Sequence, residues 1–336
     1  MSMNFFEYSR ILDRFPGKRI AVIGDLMLDV YLWGRVTRIS PEAPVPVVNV
    51  RRRTCCLGGA ANVMRNVSTL TARAFAFGMV GEDAAGEELL RELAAAGIDP
   101  AGVEHDSSRR TTEKRRVIAG AQQLFREDYE DVHPADDTLR RRMVSAVIDR
   151  IRRGELDAVI FEDYNKGVLT GWMLEEVIAE ARKRKVVTAL DPKPGNLSPV
   201  KGLTVMKPNR IEAFAMAKVE DSSGNEDPRR DPVLRAVADR LIEEWEPENL
   251  LISLAAQGMG LFSRNAEPEV IPTRAREVFD VSGAGDTVTA TFALALVSGA
   301  SPEQAAELAN RAAGVVVAKV GTVPVQLAEL RAALGS

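Results

Sequence analysis

The sequence predicts an α/β fold: a doubly wound, mostly parallel sheet with helices on both faces, plus a small β-sheet lid. Three observations carry this. Short apolar runs alternate with helical patterns along most of the chain. Two segments, about 30–53 and 111–130, break the alternation with period-two patterns. Glycine-rich turns stand where apolar runs end and helices begin.

The elements follow in order. Arg19 to Asp25 (RIAVIGD) is an apolar run of the kind found in buried parallel strands. Val45 to Val50, with alternation and proline, reads as a half-exposed edge strand followed by the basic run Arg51 to Arg53. Gly58 to Leu70 reads as a helix opened by two glycines. Arg73 to Val80 reads as a strand, and Ala84 to Ala96 as a helix ended by Gly97. Residues 111–130 alternate around Gly120 and predict a hairpin. Helices then fall near 136–153, 171–185, 209–217, 232–245, 284–298 and 302–318. Strands fall near 157–162, 186–190, 203–206, 249–254 and 258–263. Glu220 to Pro232 is a polar surface loop. A single domain over 1–336 is expected, with the lid inserted in it. A lid would close over the carboxyl ends of the strands, where such sheets bind ligands.

Composition narrows the function. Lys plus Arg is 44 and Asp plus Glu is 48, a net charge of 44 − 48 = −4, so no nucleic-acid or membrane partner is expected. Only His105 and His133 are present, which excludes a His-rich zinc site. Cys55 and Cys56 are adjacent and are read as free thiols, which fits a reducing cytoplasm. The first residues hold no continuous apolar stretch of the signal-peptide kind. The longest apolar run, near Val288 to Val297, is too short for a bilayer.

The sharpest motif is Asp280-Val-Ser-Gly-Ala-Gly-Asp-Thr287, followed at once by an apolar helix. Gly283, Ala284 and Gly285 let backbone N–H groups approach an anion at a helix start. Asp286, in the first turn, could take a proton from an attacking hydroxyl. A plain glycine turn with a dipole-stabilising Asp is an equal reading of the octapeptide alone. Gly58-Gly59-Ala-Ala-Asn62 could approach a polyol, or could simply pack a helix on the sheet. Asp25 and Asp29 follow the first strand, placed for sugar hydroxyls or as turn caps. Asn209-x-x-Glu212 could order waters around Mg²⁺, but it is also a plain capping box. No Walker A, G-x-G-x-x-G or G-x-S-x-G motif occurs. The basic runs at 140–142 and 182–185 read as solvated helix faces.

Together these motifs resemble the ribokinase-like (PfkB) carbohydrate kinase family, from about residue 10 to 331. Val80-Gly-Glu-Asp83, Asp191-Pro-Lys193 and Asn209-x-x-Glu212 fall in family order between the two glycine signatures. Within the family, the chain is most similar to the heptose 7-phosphate kinases of ADP-heptose and lipopolysaccharide synthesis. That likeness runs through Gly24 to Tyr31, Arg38 to Val48, Gln122-Gln123, Asp163-Tyr-Asn-Lys-Gly167 and Ala312 to Thr322. The nucleotidyltransferase domain that follows the kinase in many such proteins is not expected here.

The resemblance implies ATP and Mg²⁺, with K⁺ in some members, and residue roles. Asp286 matches the catalytic base, and Gly283, Ala284 and Gly285 the anion hole. Asp29, Arg38, Gly58, Gly59, Asn62 and Asp163 match sugar-side positions. Lys114, Arg116 and Lys166 are the cations expected to meet the sugar's phosphate. Lys207, Asn209, Glu212, Ser253, Gly258 and Asn310 match the nucleotide side, with Asn209 and Glu212 near Mg²⁺. Asp280 matches a monovalent-cation site. The lid is expected to pair two chains into a homodimer. Two departures stand out. The usual Thr-x-Gly-x-x-Gly loop is Ser253-Leu-Ala255-Ala-Gln-Gly258, with Ala255 where φ > 0 is called for. Cys55-Cys56 precedes the glycine pair. The reaction implied is phosphoryl transfer from ATP to the anomeric hydroxyl of a sugar phosphate. The rivals are another ribokinase-like sugar or nucleoside kinase, and a non-catalytic sugar-binding regulator.

Overall fold

A computed structural model describes residues 5–335, apart from 121, 223–226, 265 and 276. Helix α1 (Phe5–Leu12) precedes β1 (Arg19–Gly24), which passes through Asp25 into β2 (Leu26–Ile39). β3 (Pro46–Gly59) returns and enters α2 (Ala60–Thr69). Then come β4 (Arg73–Val80), α3 (Ala84–Ala95), β5 (Asp99–His105), β6 (Thr112–Ala119) and β7 (Gln122–Tyr129). α4 (Asp137–Arg152), β8 (Ala158–Glu162), α5 (Gly171–Arg184), β9 (Val187–Asp191), β10 (Val205–Met206) and α6 (Arg210–Ala217) follow. The rest is α7 (Pro232–Trp245), β11 (Asn249–Ser253), β12 (Met259–Phe262), β13 (Glu269–Ile271), α8 (Ala284–Val297), α9 (Pro302–Val316) and α10 (Leu327–Leu334).

Nine strands form the main sheet in the order β13-β12-β11-β10-β9-β8-β1-β4-β5. All neighbours are parallel from β11 to β5, and β12 and β13 add an antiparallel edge. β1 and β8 are buried almost throughout, as continuous apolar runs between two helical layers must be. One core packs α1, α2, α8, α9 and α10 against one face; the other packs α4 to α7 against the opposite face. The helices start where side chains satisfy free N–H groups. Asp83, Asp136 and Asp231 cap α3, α4 and α7, and Pro232 stands in the first turn of α7. No helix among the described residues is long and apolar enough to cross a membrane.

The lid is a second sheet in the order β3-β2-β6-β7. It is longer than the sequence reading: its strands begin at Leu26 and end at Gly59. Leu26, Leu28, Val30 and Leu57 are buried, so the lid's root is part of the core. Gly58 and Gly59 therefore close a strand, and Gly59 is at the same time the N-cap of α2. Gly59, at φ 55°, makes the turn into α2, and a Cβ there would lie 2.5 Å from the Asp25 carbonyl oxygen. β5, β13, α1 and α10 have no counterpart in the sequence reading. Residues 223–226 of the polar loop lie outside the described residues.

The close approach of β1 and β8 is testable. A Cβ at Gly24 would lie 2.1 Å from the Glu162 carbonyl oxygen. Gly24→Ala is expected to destabilise the fold by roughly 1–3 kcal/mol through forced strand separation. An unchanged urea midpoint would show that the two strands part at no cost.

Candidate active site

Four parallel strands end side by side: β10, β9, β8 and β1. The residues at or just after those ends are Lys207, Asp191, Glu162 and Asp25, all buried. β8 and β9 pair Glu162 directly with Asp191, so the two carboxylates share a face. α8 packs against that face through β8 and β9 and presents Asp286 from its first turn.

Asp286 is 6% exposed. Its Oδ2 accepts from Asn62 Nδ2 at 2.7 Å, and its Oδ1 accepts from the Tyr164 hydroxyl at 2.6 Å. Burial pushes the Asp286 carboxyl up, while these two donors and Lys207 pull it down. Burial also raises Asp191, to about 6, against the pull of Lys207, and raises Glu162 well above the usual range. Lys207 Nζ lies 2.7 Å from Asp191; burial disfavours its charge, but Asp191 outweighs that and holds it above its ordinary value.

Gly283 begins α8 at φ 75°, and a Cβ there would lie 2.6 Å from Asn62 Nδ2. The expected anion hole is only partly open. The Ala284 N–H closes a turn on the Val281 carbonyl at 3.2 Å. Among the described residues no acceptor meets the Gly283 and Gly285 amides. A Cβ on Gly285 would sit 3.4 Å from Lys207 Nζ, so an anion at this helix start would also meet that ammonium.

The structure brings the lid to the same place. Asp29 on β2 accepts from Arg116 Nη1 at 2.5 Å, and a Cβ on Gly58 would lie 2.5 Å from Asp29 Oδ2. Tyr31 lies beneath the Arg116 guanidinium at 5.2 Å and meets Thr322 Oγ1 at 3.4 Å, which ties the lid to the loop after α9. Lys114 and Lys166 converge on Glu130, at 3.4 and 2.7 Å, and Lys114 also pairs with Asp128 at 3.1 Å. Every cation expected at the sugar's phosphate thus already holds a carboxylate.

The other residues expected at the site have these surroundings. Arg38 stands exposed nine residues along β2 from Asp29, about 30 Å away at strand rise, and does not join the site. Asp163 accepts from Asn165 N and Asn196 Nδ2 at 2.8 Å and from Lys193 N at 3.3 Å, so it ties two loops together. Asp25 likewise accepts the N–H groups of Tyr164, Lys166 and Val168 at 2.8, 3.1 and 3.2 Å. Asn209 and Glu212 form the capping box of α6, and Glu212 also pairs with Lys193. Asn310 donates to the Pro272 carbonyl at 2.6 Å. Asp280 accepts from Ser282 N and Gly321 N at 2.9 and 3.0 Å. Ser253 ends β11 beside Asn209, and a Cβ on Gly258, at φ 96°, would lie 2.0 Å from the Ile271 carbonyl oxygen. Cys55 and Cys56 are free, with burial pushing both thiols up to about 12.

Glu162, Asp191 and Tyr164 have no assigned role in the sequence reading. Their signal was the acidic residue ending each apolar run, at Glu162 and at Asp191. One carboxylate oxygen from each of Glu162, Asp191 and Asp286 lies within 4.8 Å of the others. Both Glu162 oxygens are buried without a hydrogen-bond partner among the described residues. This hard, all-oxygen set with an orphaned carboxylate fits a divalent cation such as Mg²⁺.

Residues 18–328 match the description "pfkB family carbohydrate kinase", and the chain belongs to that family. The chain is 43% identical over 320 residues to "Bifunctional protein HldE" of Desulfatibacillum aliphaticivorans, covering 95% of this chain and 64% of that one. The protein of the same name from Geobacter sulfurreducens is 44% identical over 94% of this chain and 62% of its own length. The chain thus spans less than two thirds of these relatives. In fold it is similar to Arabidopsis thaliana ribokinase complexed with ribose and ATP (TM-score 0.69, 18% identity, 95% and 99% of the two chains). It is also similar to Escherichia coli phosphofructokinase-2 in complex with potassium (TM-score 0.73, 18% identity, 95% and 100%).

Asp25 gives a pH test. Burial raises its carboxyl from 3.8 to about 6. The folded state then binds more protons than the unfolded one between those values, so this contribution to stability is present below about pH 4 and is lost as pH rises through 6. At ~1.4 kcal/mol per unit, the stability of wild type relative to Asp25→Asn should fall by roughly 2 kcal/mol from pH 4 to pH 7. Denaturation curves that keep a constant difference across that window would contradict this.

Proposed function

We propose that this kinase transfers the γ-phosphoryl group of ATP to the anomeric hydroxyl of heptose 7-phosphate, giving heptose 1,7-bisphosphate. The observation that carries the reading is the buried Asp286 beside the open Gly283 and Gly285 amides, where lid and sheet meet. Asp286 takes the proton of the attacking hydroxyl, and its pairing with Asn62 aims the carboxylate. The Gly283 and Gly285 amides and Lys207 meet the charge of the migrating phosphoryl group, which is how kinases gain most of their rate. Mg²⁺, when bound, neutralises the ATP phosphates; Glu162 and Asp191 are the residues that would hold it. Asn209 and Glu212 shape the neighbouring loop through Lys193. Ser253 and Gly258 border the nucleotide.

The heptose phosphate comes from the bifunctional relatives and agrees with the cations of the pocket rim. Lys114 and Lys166 meet at Glu130, where a phosphate dianion would compete with that carboxylate. Arg116, across from Asp29, completes the rim. The lid carries the exposed apolar residues Val36, Ile39, Val50 and Phe125, which support pairing of two chains through it.

ADP release across a panel of sugar phosphates is expected to be fastest with heptose 7-phosphate. A different preferred acceptor would overturn the substrate, and no turnover with any sugar would overturn the enzyme. Asp286→Asn should lower kcat ~10²–10⁴-fold with the fold intact; a variant keeping more than about a tenth of wild-type kcat would remove Asp286 from the base role. Replacing Lys114 and Lys166 together by Met should raise KM for the sugar phosphate ~10²-fold and alter KM for ATP far less. An unchanged KM would place the phosphate elsewhere.

A further inference from the structure

We propose that Tyr164 is a positioning residue for the base, its hydroxyl fixing the Asp286 carboxylate and keeping water off it. The proposal rests on the reading of Asp286 as base. Tyr164 lies in the loop after β8, and its hydroxyl donates to Asp286 Oδ1 at 2.6 Å while Asn62 donates to Oδ2 at 2.7 Å. Each carboxylate oxygen thus receives one donor, and the two donors come from separate elements. On Oδ2, beside the Asn62 amide, there is room for a second donor, so the acceptor hydroxyl reaches the base from that oxygen while the phenol occupies Oδ1.

The ring is set before it meets Asp286. The Tyr164 N–H donates to Asp25 Oδ2 at 2.8 Å, and Asp25 also gathers the N–H groups of Lys166 and Val168. The Lys193 ammonium lies 5.3 Å over the ring. The loop is therefore pinned from below by a buried carboxylate and from above by a cation, and the phenol arrives preorganised.

The consequence is selectivity between two acceptors. If water takes the place of the sugar hydroxyl, its oxygen bonds the γ-phosphorus and its proton passes to Asp286. The bond to the bridging oxygen breaks, and ADP leaves with the electron pair. The Tyr164 hydroxyl fills the position on Oδ1 from which a water would be activated. Replacing it by hydrogen opens one oxygen's worth of space with the base as acceptor.

The test is Tyr164→Phe in the full chain, with ATP and the panel sugar phosphate of highest kcat/KM. We expect kcat for sugar phosphorylation to fall at least ~10-fold, with KM for both substrates within about twofold. The rate of sugar-independent ATP hydrolysis relative to sugar phosphorylation should rise at least ~10-fold. That ratio does not depend on the folded fraction, so partial unfolding cannot imitate or mask it. Asp286→Asn is assayed in parallel. If it stays active, the base reading falls and this inference with it. If it is inactive while Tyr164→Phe keeps the wild-type kcat and ratio, the inference about Tyr164 alone is overturned.

Discussion

The rest of the structure depends on ionisable groups buried in a row at the ends of four parallel strands. Lys207, Asp191, Glu162 and Asp25 stand on consecutive strands, and Asp286 faces them from α8. Withdrawing such groups from water costs several kcal/mol each unless they are paired. The fold answers group by group. Asp191 takes Lys207, Asp25 takes three backbone N–H groups, and Asp286 takes an amide and a phenol. Of these five groups Glu162 alone finds no hydrogen-bond partner among the described residues, and burial holds its carboxyl well above the usual range. That unpaired carboxylate is where the row keeps capacity for a cation.

The lid follows from the same constraint. A flap over charged groups must bring charges of its own or bury orphans. Arg116 is held by Asp29 and lies over Tyr31, and Tyr31 reaches Thr322 across the cleft. Lys114 and Lys166 come from different segments, yet one carboxylate, Glu130, gathers both. The lysine pairs are partly exposed, so each adds little to stability, whereas Arg116 and Asp29 are largely buried. The effect of these pairs is to fix where the long side chains stand.

The fold was largely legible in the sequence because its central strands are continuous apolar runs and its helices begin at recognisable caps. β5 was not, since Asp99 to His105 (DPAGVEH) is an edge strand without alternation or sustained apolar character. The lid's root was not legible because Leu26 to Leu28 is apolar on both faces, which removes the period-two signal there. In the site, Asp286, Asn62, Asp29 and Gly58 could be found because each belongs to a local motif. Glu162 and Asp191 meet only through strand pairing, and no short spacing announces that. Arg38 and Asp163 had the right residue types in matching stretches, but strand rise carries the first away and neighbouring N–H groups take up the second.

The loop after β11 shows the same logic in backbone conformation. Ala255 stands at φ 51°, where a family pattern has glycine. A non-glycine residue there carries strain of about 1–3 kcal/mol. The chain tolerates it because both sides of the turn are fixed. Gly258 is pressed against the Ile271 carbonyl, and Leu254 N and the Gly258 carbonyl close the turn at 2.8 Å. Ser253 meanwhile is bridged to Asn209, whose own position is set by the capping box. The turn is thus over-determined from the strand side and the helix side together. What glycine would supply by conformational freedom, the surrounding hydrogen bonds impose on alanine.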